Sequence, residues 1–301
     1  MRQHALACDG EKHRGKNLSV EPTQIQLIML AVSQALYALA VFTSLLVIDL
    51  GKREWAPQLA TVIIIGLIGF TAAGFVAIPP TIIAMACYTI VATVYAPLSE
   101  RWKRQIRYGG MLLGLLAGFH LVPGIHTVPL YSKWWESGSR LLPFALDIDK
   151  AYAGLLLALI AAQFYPQKHS LRFVWLVPAG VVALIVLVWL LGHPLQPALP
   201  SYAAARFFVN LVVTCFAEEL FFRGALQREL MLYLAPVPAI IITALLFGAA
   251  HVTRGWELAF VATLAGLLYG FIYRRTGYLS LAVATHFLVN IAWFVLFPSL
   301  Y

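Results

Sequence analysis

Charge is scarce in this chain: Lys, Arg, Asp and Glu make up 11% of 301 residues, against 61% hydrophobic residues and a mean hydropathy of +0.82. A soluble domain cannot bury that much apolar surface, so the composition excludes one and indicates a polytopic membrane protein. Cysteine is also rare. Cys8, Cys87 and Cys215 show neither disulfide nor metal-site spacing, which leaves both uses without support. Other absences narrow the chemistry. There is no HExxH to put two imidazoles and a base on one helix, no G-x-S-x-G nucleophile turn, and no aspartate at the centre of an apolar run. The net charge of +8 would suggest nucleic acid in a soluble chain. Here the basic residues fall in short connections between apolar runs, where positive-inside sorting accounts for them, and no nucleic-acid partner is expected.

What is present is a succession of apolar runs. Residues 1–24 form a polar N-terminal tail without an apolar core, neither a signal peptide nor a packed domain. Residues 25–202 hold N-terminal transmembrane helices of unassigned role. Apolar runs occupy 25–48 and 59–78, the latter ended by Pro79-Pro80, and 81–96 is a third span or the return arm of a hairpin. The segment ERWKRQIR, 100–107, reads as a cytoplasmic loop, with four basic residues against one acid. A short span follows, in which Gly110, Gly114 and Gly118 form a stripe suited to close helix approach. Residues 123–150 make the longest hydrophilic connection. Its Trp134 and Trp135 read as interface anchors. Its Asp147 and Asp149 lack the third acidic ligand and turn glycine of a metal loop. Runs at 151–165 and 172–191 follow. The last four spans then cover 203 to about Arg228-Glu229, 238–251, 257–273 and 279–297. The expected fold is all-α, a polytopic transmembrane helix bundle of about 8–10 spans with its catalytic core in the last four, residues 203–297.

The stretch FAEELFFRG, 216–224, places Glu218, Glu219 and Arg223 inside an apolar run. A charge at bilayer depth costs about 2.5 to 17 kcal/mol depending on the reference state, so three together need a physical reason. In an α-helix Glu219 and Arg223 stack on one face, acid before base, and neutralise each other. Glu218 is left without a local partner. Its face runs back through Thr214 and Asn210, a polar stripe of the kind that turns toward a wet cavity, where a carboxylate can take and give protons. Two more pairs at helical spacing follow, Phe247 with His251 and His286 with Asn290. A carboxylate, two imidazoles and a carboxamide supply a base, an orienting partner and oxyanion donors.

These motifs, EExxxR at 218–223, FxxxH at 247–251 and HxxxN at 286–290, taken in this order resemble the CPBP family of intramembrane proteases, which includes the CAAX prenyl endopeptidases (Rce1-like) and bacterial Abi-type relatives. The resemblance covers about a third of the chain, 203–297. It implies an intramembrane endopeptidase acting in a lipid bilayer on a membrane-associated peptide or protein substrate, either prenylated and of CAAX type or a signalling peptide. It further implies that Glu218 and His251 activate a water and that His286 and Asn290 stabilise the tetrahedral oxyanion, with Glu219, Arg223 and Phe247 in support. Family members carry the label metalloprotease, and zinc, if used, would fall to Glu218, His251 and His286. No cofactor is required by the residues themselves. The expected location is the bacterial inner (plasma) membrane. The competing reading is a non-catalytic membrane protein that confers bacteriocin or toxin immunity or binds a partner. A proton-coupled transporter is less favoured, because no internal repeat is seen.

One geometric condition follows. If the helix bearing Glu218 runs inward from 203, a straight following helix would carry His251 about 20 Å outward. The site then closes only if the connection around Pro236 and Pro238 dips into the bilayer or that helix tilts steeply.

Overall fold

Apolar runs wind into helices because backbone N–H and C=O groups in hydrocarbon must be satisfied within their own segment. The computed structural model describes residues 24–51, 98–121, 128–129, 145–162, 169–200 and 203–298. In these the chain forms α1 (Gln24–Leu50), α2 (Glu100–Gly118), α3 (Ile148–Ala161), α4 (Leu176–Leu190), α5 (a continuous winding from Ala203 to Leu230), α6 (Pro236–Ala249), α7 (Trp256–Thr276) and α8 (Leu279–Leu296). The architecture is all-α. Its sole extended pairing among the described residues is a two-residue antiparallel bridge, Val128–Pro129 against Ala145–Leu146. Leu171–Leu190, Trp256–Thr276 and Leu279–Leu296 are long and apolar enough to cross a membrane, and Gln34–Leu50 and Pro236–Ala249 are shorter apolar helices. The chain is an integral membrane protein. The runs expected at 59–78 and 81–96, the tail and the paired tryptophans lie outside the described residues.

Helix α3 occupies the centre. From Ala151 to Ala162 every described side chain is buried, the mark of a helix apolar all round. Tyr37 of α1 locks it to α5, its hydroxyl lying 3.2 Å from the Ala151 carbonyl and 2.9 Å from that of Val212. At the far end of α1, Asp49 accepts from the backbone N–H groups of Leu279 at 2.8 Å and Ser280 at 3.2 Å. It thereby satisfies orphan donors at the start of α8, the helix that carries His286 and Asn290.

Three expectations meet different outcomes. Residues 100–107 are not a loop but the first half of α2, because charged side chains on an amphipathic turn leave the backbone free to wind. The glycine stripe of α2 is used at Gly114, where a methyl would meet Leu157 at 2.9 Å, while among the described residues nothing lies within 4 Å of a methyl at Gly118. The helix ends near Arg228 and Glu229 as expected, its winding closing at Leu230, but neither side chain is open to solvent. Both are buried, with Glu229 accepting from Arg107 Nε at 2.7 Å and Nη2 at 3.3 Å and Arg228 donating to the Ala161 carbonyl at 3.2 Å.

Candidate active site

The site begins with a departure from regular winding in α5. α-Helical Ala203–Val209 passes into π-helical Asn210–Cys215, a regular turn at Phe216–Glu219, π-helical Leu220–Gln227 and a closing Arg228–Leu230. Widened turns of this kind gather at functional positions because they re-aim side chains. Here one lets residues five apart meet, with Cys215 Sγ 3.2 Å from Asn210 Oδ1. The two glutamates sit on the regular turn between the widened ones.

Glu219 faces the protein interior. Its Oε1 accepts from Arg223 Nη1 at 2.9 Å and from His286 Nδ1 at 2.8 Å, and both side chains of the ion pair are fully buried. Arg223 Nη2 donates to the Gly266 carbonyl at 2.9 Å. Aromatic rings enclose the cluster. Phe247 lies 5.0 Å from the guanidinium and edge-on to His286 at 5.6 Å, and Tyr269 stacks on His286 at 4.9 Å. Phe247 also contacts the His251 ring at 4.8 Å. The phenylalanine of the FxxxH motif therefore braces both imidazoles and the arginine. The expected Glu219–Arg223 pair is present, and it has a third member that local spacing did not reveal.

Glu218 faces a cavity of about 620 Å³ whose lining includes His251, His286, Asn290, Asn210 and Thr214. All four residues assigned to catalysis thus meet at one hollow. Glu218 Oε2 lies 3.9 Å from His286 Nε2, a gap that one water can bridge. His251 Nδ1 is 2.8 Å from the Phe247 carbonyl. A carbonyl can only accept, so the proton sits on Nδ1 and Nε2 is the nitrogen free to face a ligand. Asn290 Nδ2 donates to Asn210 Oδ1 at 3.3 Å. The depth difficulty dissolves through hairpin geometry. Glu218 precedes the end of α5 by about 18 Å of helix and His251 follows the start of α6 by about 22 Å, so two arms of similar length return the residues to one level.

Glu218 does have a partner. Lys150, in the first turn of α3, places Nζ 2.8 Å from Glu218 Oε1 across 68 residues of sequence. No local periodicity could have found this contact. Asp147 and His120 join the same lining, and Asp149 turns away to His120 Nδ1 at 3.1 Å.

The metal question turns on donor geometry. Both imidazoles have Nδ1 tied to an oxygen acceptor, the arrangement that prepares Nε2 for a metal. Yet among the described residues no three of His, Cys, Asp and Glu converge to hold an ion, and the Lys150 ammonium occupies one oxygen of Glu218. As arranged, Glu218, His251 and His286 do not form a zinc site.

Residues 200–292 match the family model described as type II CAAX prenyl endopeptidase Rce1-like. No curated protein and no solved structure matches the chain. The matched segment begins just before α5 and ends within α8, so it contains both glutamates, Arg223, Phe247, the two histidines and Asn290. Over this segment, about a third of the chain, the sequence is similar to the Rce1-like type II CAAX prenyl endopeptidases.

Proposed function

We propose that this protein is an intramembrane endopeptidase that hydrolyses a peptide bond of a membrane-associated peptide, of the prenylated CAAX type, with a water activated by Glu218. The observation that carries the reading is the convergence of Glu218, His251, His286 and Asn290 on one cavity. The water sits between Glu218 Oε2 and the Nε2 atoms of the two histidines. Its O–H bond breaks toward Glu218 Oε2 while its oxygen attacks the carbonyl carbon. Charge then appears on the carbonyl oxygen, where Asn290 Nδ2 acts as a donor and His286, its ring held by Glu219, completes the oxyanion site. Collapse of the intermediate returns the proton from Glu218 to the departing amine as the C–N bond breaks. The reaction is written without a metal, and the proposed location is the inner (plasma) membrane of a bacterium. Comparing membrane peptidomes of cells carrying the wild type and Glu218→Gln tests the proposal. A peptide product that disappears with Glu218→Gln while the protein still accumulates supports it. Identical peptidomes would leave a binding or immunity role.

A further inference from the structure

The cation beside Glu218 comes from outside the segment that matches the family model: Lys150 lies in α3, while the match covers 200–292. A lysine in the first turn of a helix is disfavoured, because the dipole there is already positive. Its side chain is also only 17% exposed. Two unfavourable placements on one residue call for a compensating interaction, and the 2.8 Å contact with Glu218 Oε1 is the one observed. A second feature of the packing brings the pair together. One turn after Lys150, Gly154 faces Ala217, the neighbour of Glu218, so closely that a methyl on Gly154 would lie 3.0 Å from the Ala217 side chain and 3.1 Å from its Cα. α3 and α5 thus touch backbone to backbone beside the ion pair.

The consequence lies in which oxygen of Glu218 is left available. Oε1 is held by the ammonium and Oε2 points toward His286 Nε2 at 3.9 Å. We propose that Lys150 is a positioning residue for the hydrolytic reaction, fixing the Glu218 carboxylate through Oε1 so that Oε2 is the oxygen that meets the water. The helix that presents it, α3, belongs to the part of the chain otherwise without an assigned role. This rests on the endopeptidase reading above.

The test uses the full chain reconstituted in lipid vesicles and an internally quenched S-prenylated peptide ending in a CAAX sequence. Wild type, Glu218→Gln, Lys150→Met, Lys150→Arg and Lys150→Gln are compared for kcat, KM and thermal stability. Misplacing a reacting group by about 1 Å costs about 10²-fold in rate, so Lys150→Met is expected to lower kcat by about that factor with KM within about twofold. Lys150→Arg, which keeps a cation able to reach Oε1, restores part of the rate. Should Lys150→Met fail to fold, Lys150→Gln takes its place: it is polar at the cavity wall, but its amide nitrogen is one bond short of the position that Nζ holds at Oε1, so the same loss of kcat is expected. Wild-type cleavage that is lost in Glu218→Gln yet kept at full kcat in the uncharged Lys150 variants overturns the Lys150 proposal alone. Cleavage that is equal in wild type and Glu218→Gln, or absent from both, overturns the endopeptidase reading and the Lys150 proposal with it.

Discussion

Glu219 and His286 stand 67 residues apart in sequence and 2.8 Å apart in space, joined through the carboxylate oxygen that also receives Arg223. The two adjacent glutamates therefore have opposite tasks. Glu219 holds a buried guanidinium and the ring of a histidine, whereas Glu218 looks into the cavity. Removing Glu219 strands a buried cation. Breaking such a pair costs about 3–5 kcal/mol, so Glu219→Ala is expected to lower the melting temperature in detergent sharply and to reduce folded yield.

Glu218→Gln gives the converse result. Its side chain is 17% exposed at the cavity wall, and a neutral amide can still accept from Lys150. The melting temperature should stay close to wild type while cleavage falls by about 10²–10⁴-fold, the range for losing a general base. Loss of folding on a par with Glu219→Ala would contradict the separation of roles.

Gly266 tests the packing behind Arg223. A methyl there would lie 3.1 Å from Ala244 Cα and 3.3 Å from Arg223 Nη2, and the neighbour on one side is backbone. Gly266→Val must push α6 and α7 apart, at a cost of about 1–3 kcal/mol for overpacking. It should disturb the arginine that holds Glu219. The expected outcome is a lower melting temperature with a parallel loss of activity, and an unchanged melting temperature would show that the two helices can slide.

How much of this was legible in the sequence follows from the distance over which each residue finds its partner. Glu219 with Arg223 and Phe247 with His251 are helical neighbours, so spacing exposed them. The FxxxH and HxxxN pairs could be placed on helices for the same reason. Lys150 with Glu218 and Arg107 with Glu229 span 68 and 122 residues, and no periodicity relates such positions. The widened turns of α5 are not legible in the sequence, because apolar periodicity there fits the regular 3.6-residue winding as well, and Asn210 reaches the cavity under either winding. Charge clusters are ambiguous in a sequence: 100–107 has the composition of a loop yet winds as helix, and Arg228 and Glu229 stand at a helix end but are buried with partners.

Metal dependence provides the last test. His251 and His286 each have Nδ1 occupied, by the Phe247 carbonyl at 2.8 Å and by Glu219 Oε1 at 2.8 Å, so both Nε2 atoms can serve a water or an ion. What decides between them is Glu218, one of whose oxygens is taken by the Lys150 ammonium. A zinc ion bound by Glu218 and both imidazoles would have to share that carboxylate with a cation, against the repulsion between like charges. Exhaustive chelation is therefore expected to leave cleavage of the prenylated peptide unchanged, and metal analysis of the purified protein to find no stoichiometric zinc. Stoichiometric zinc, with activity lost on chelation and restored on its return, would require Lys150 to leave Glu218 when the ion binds.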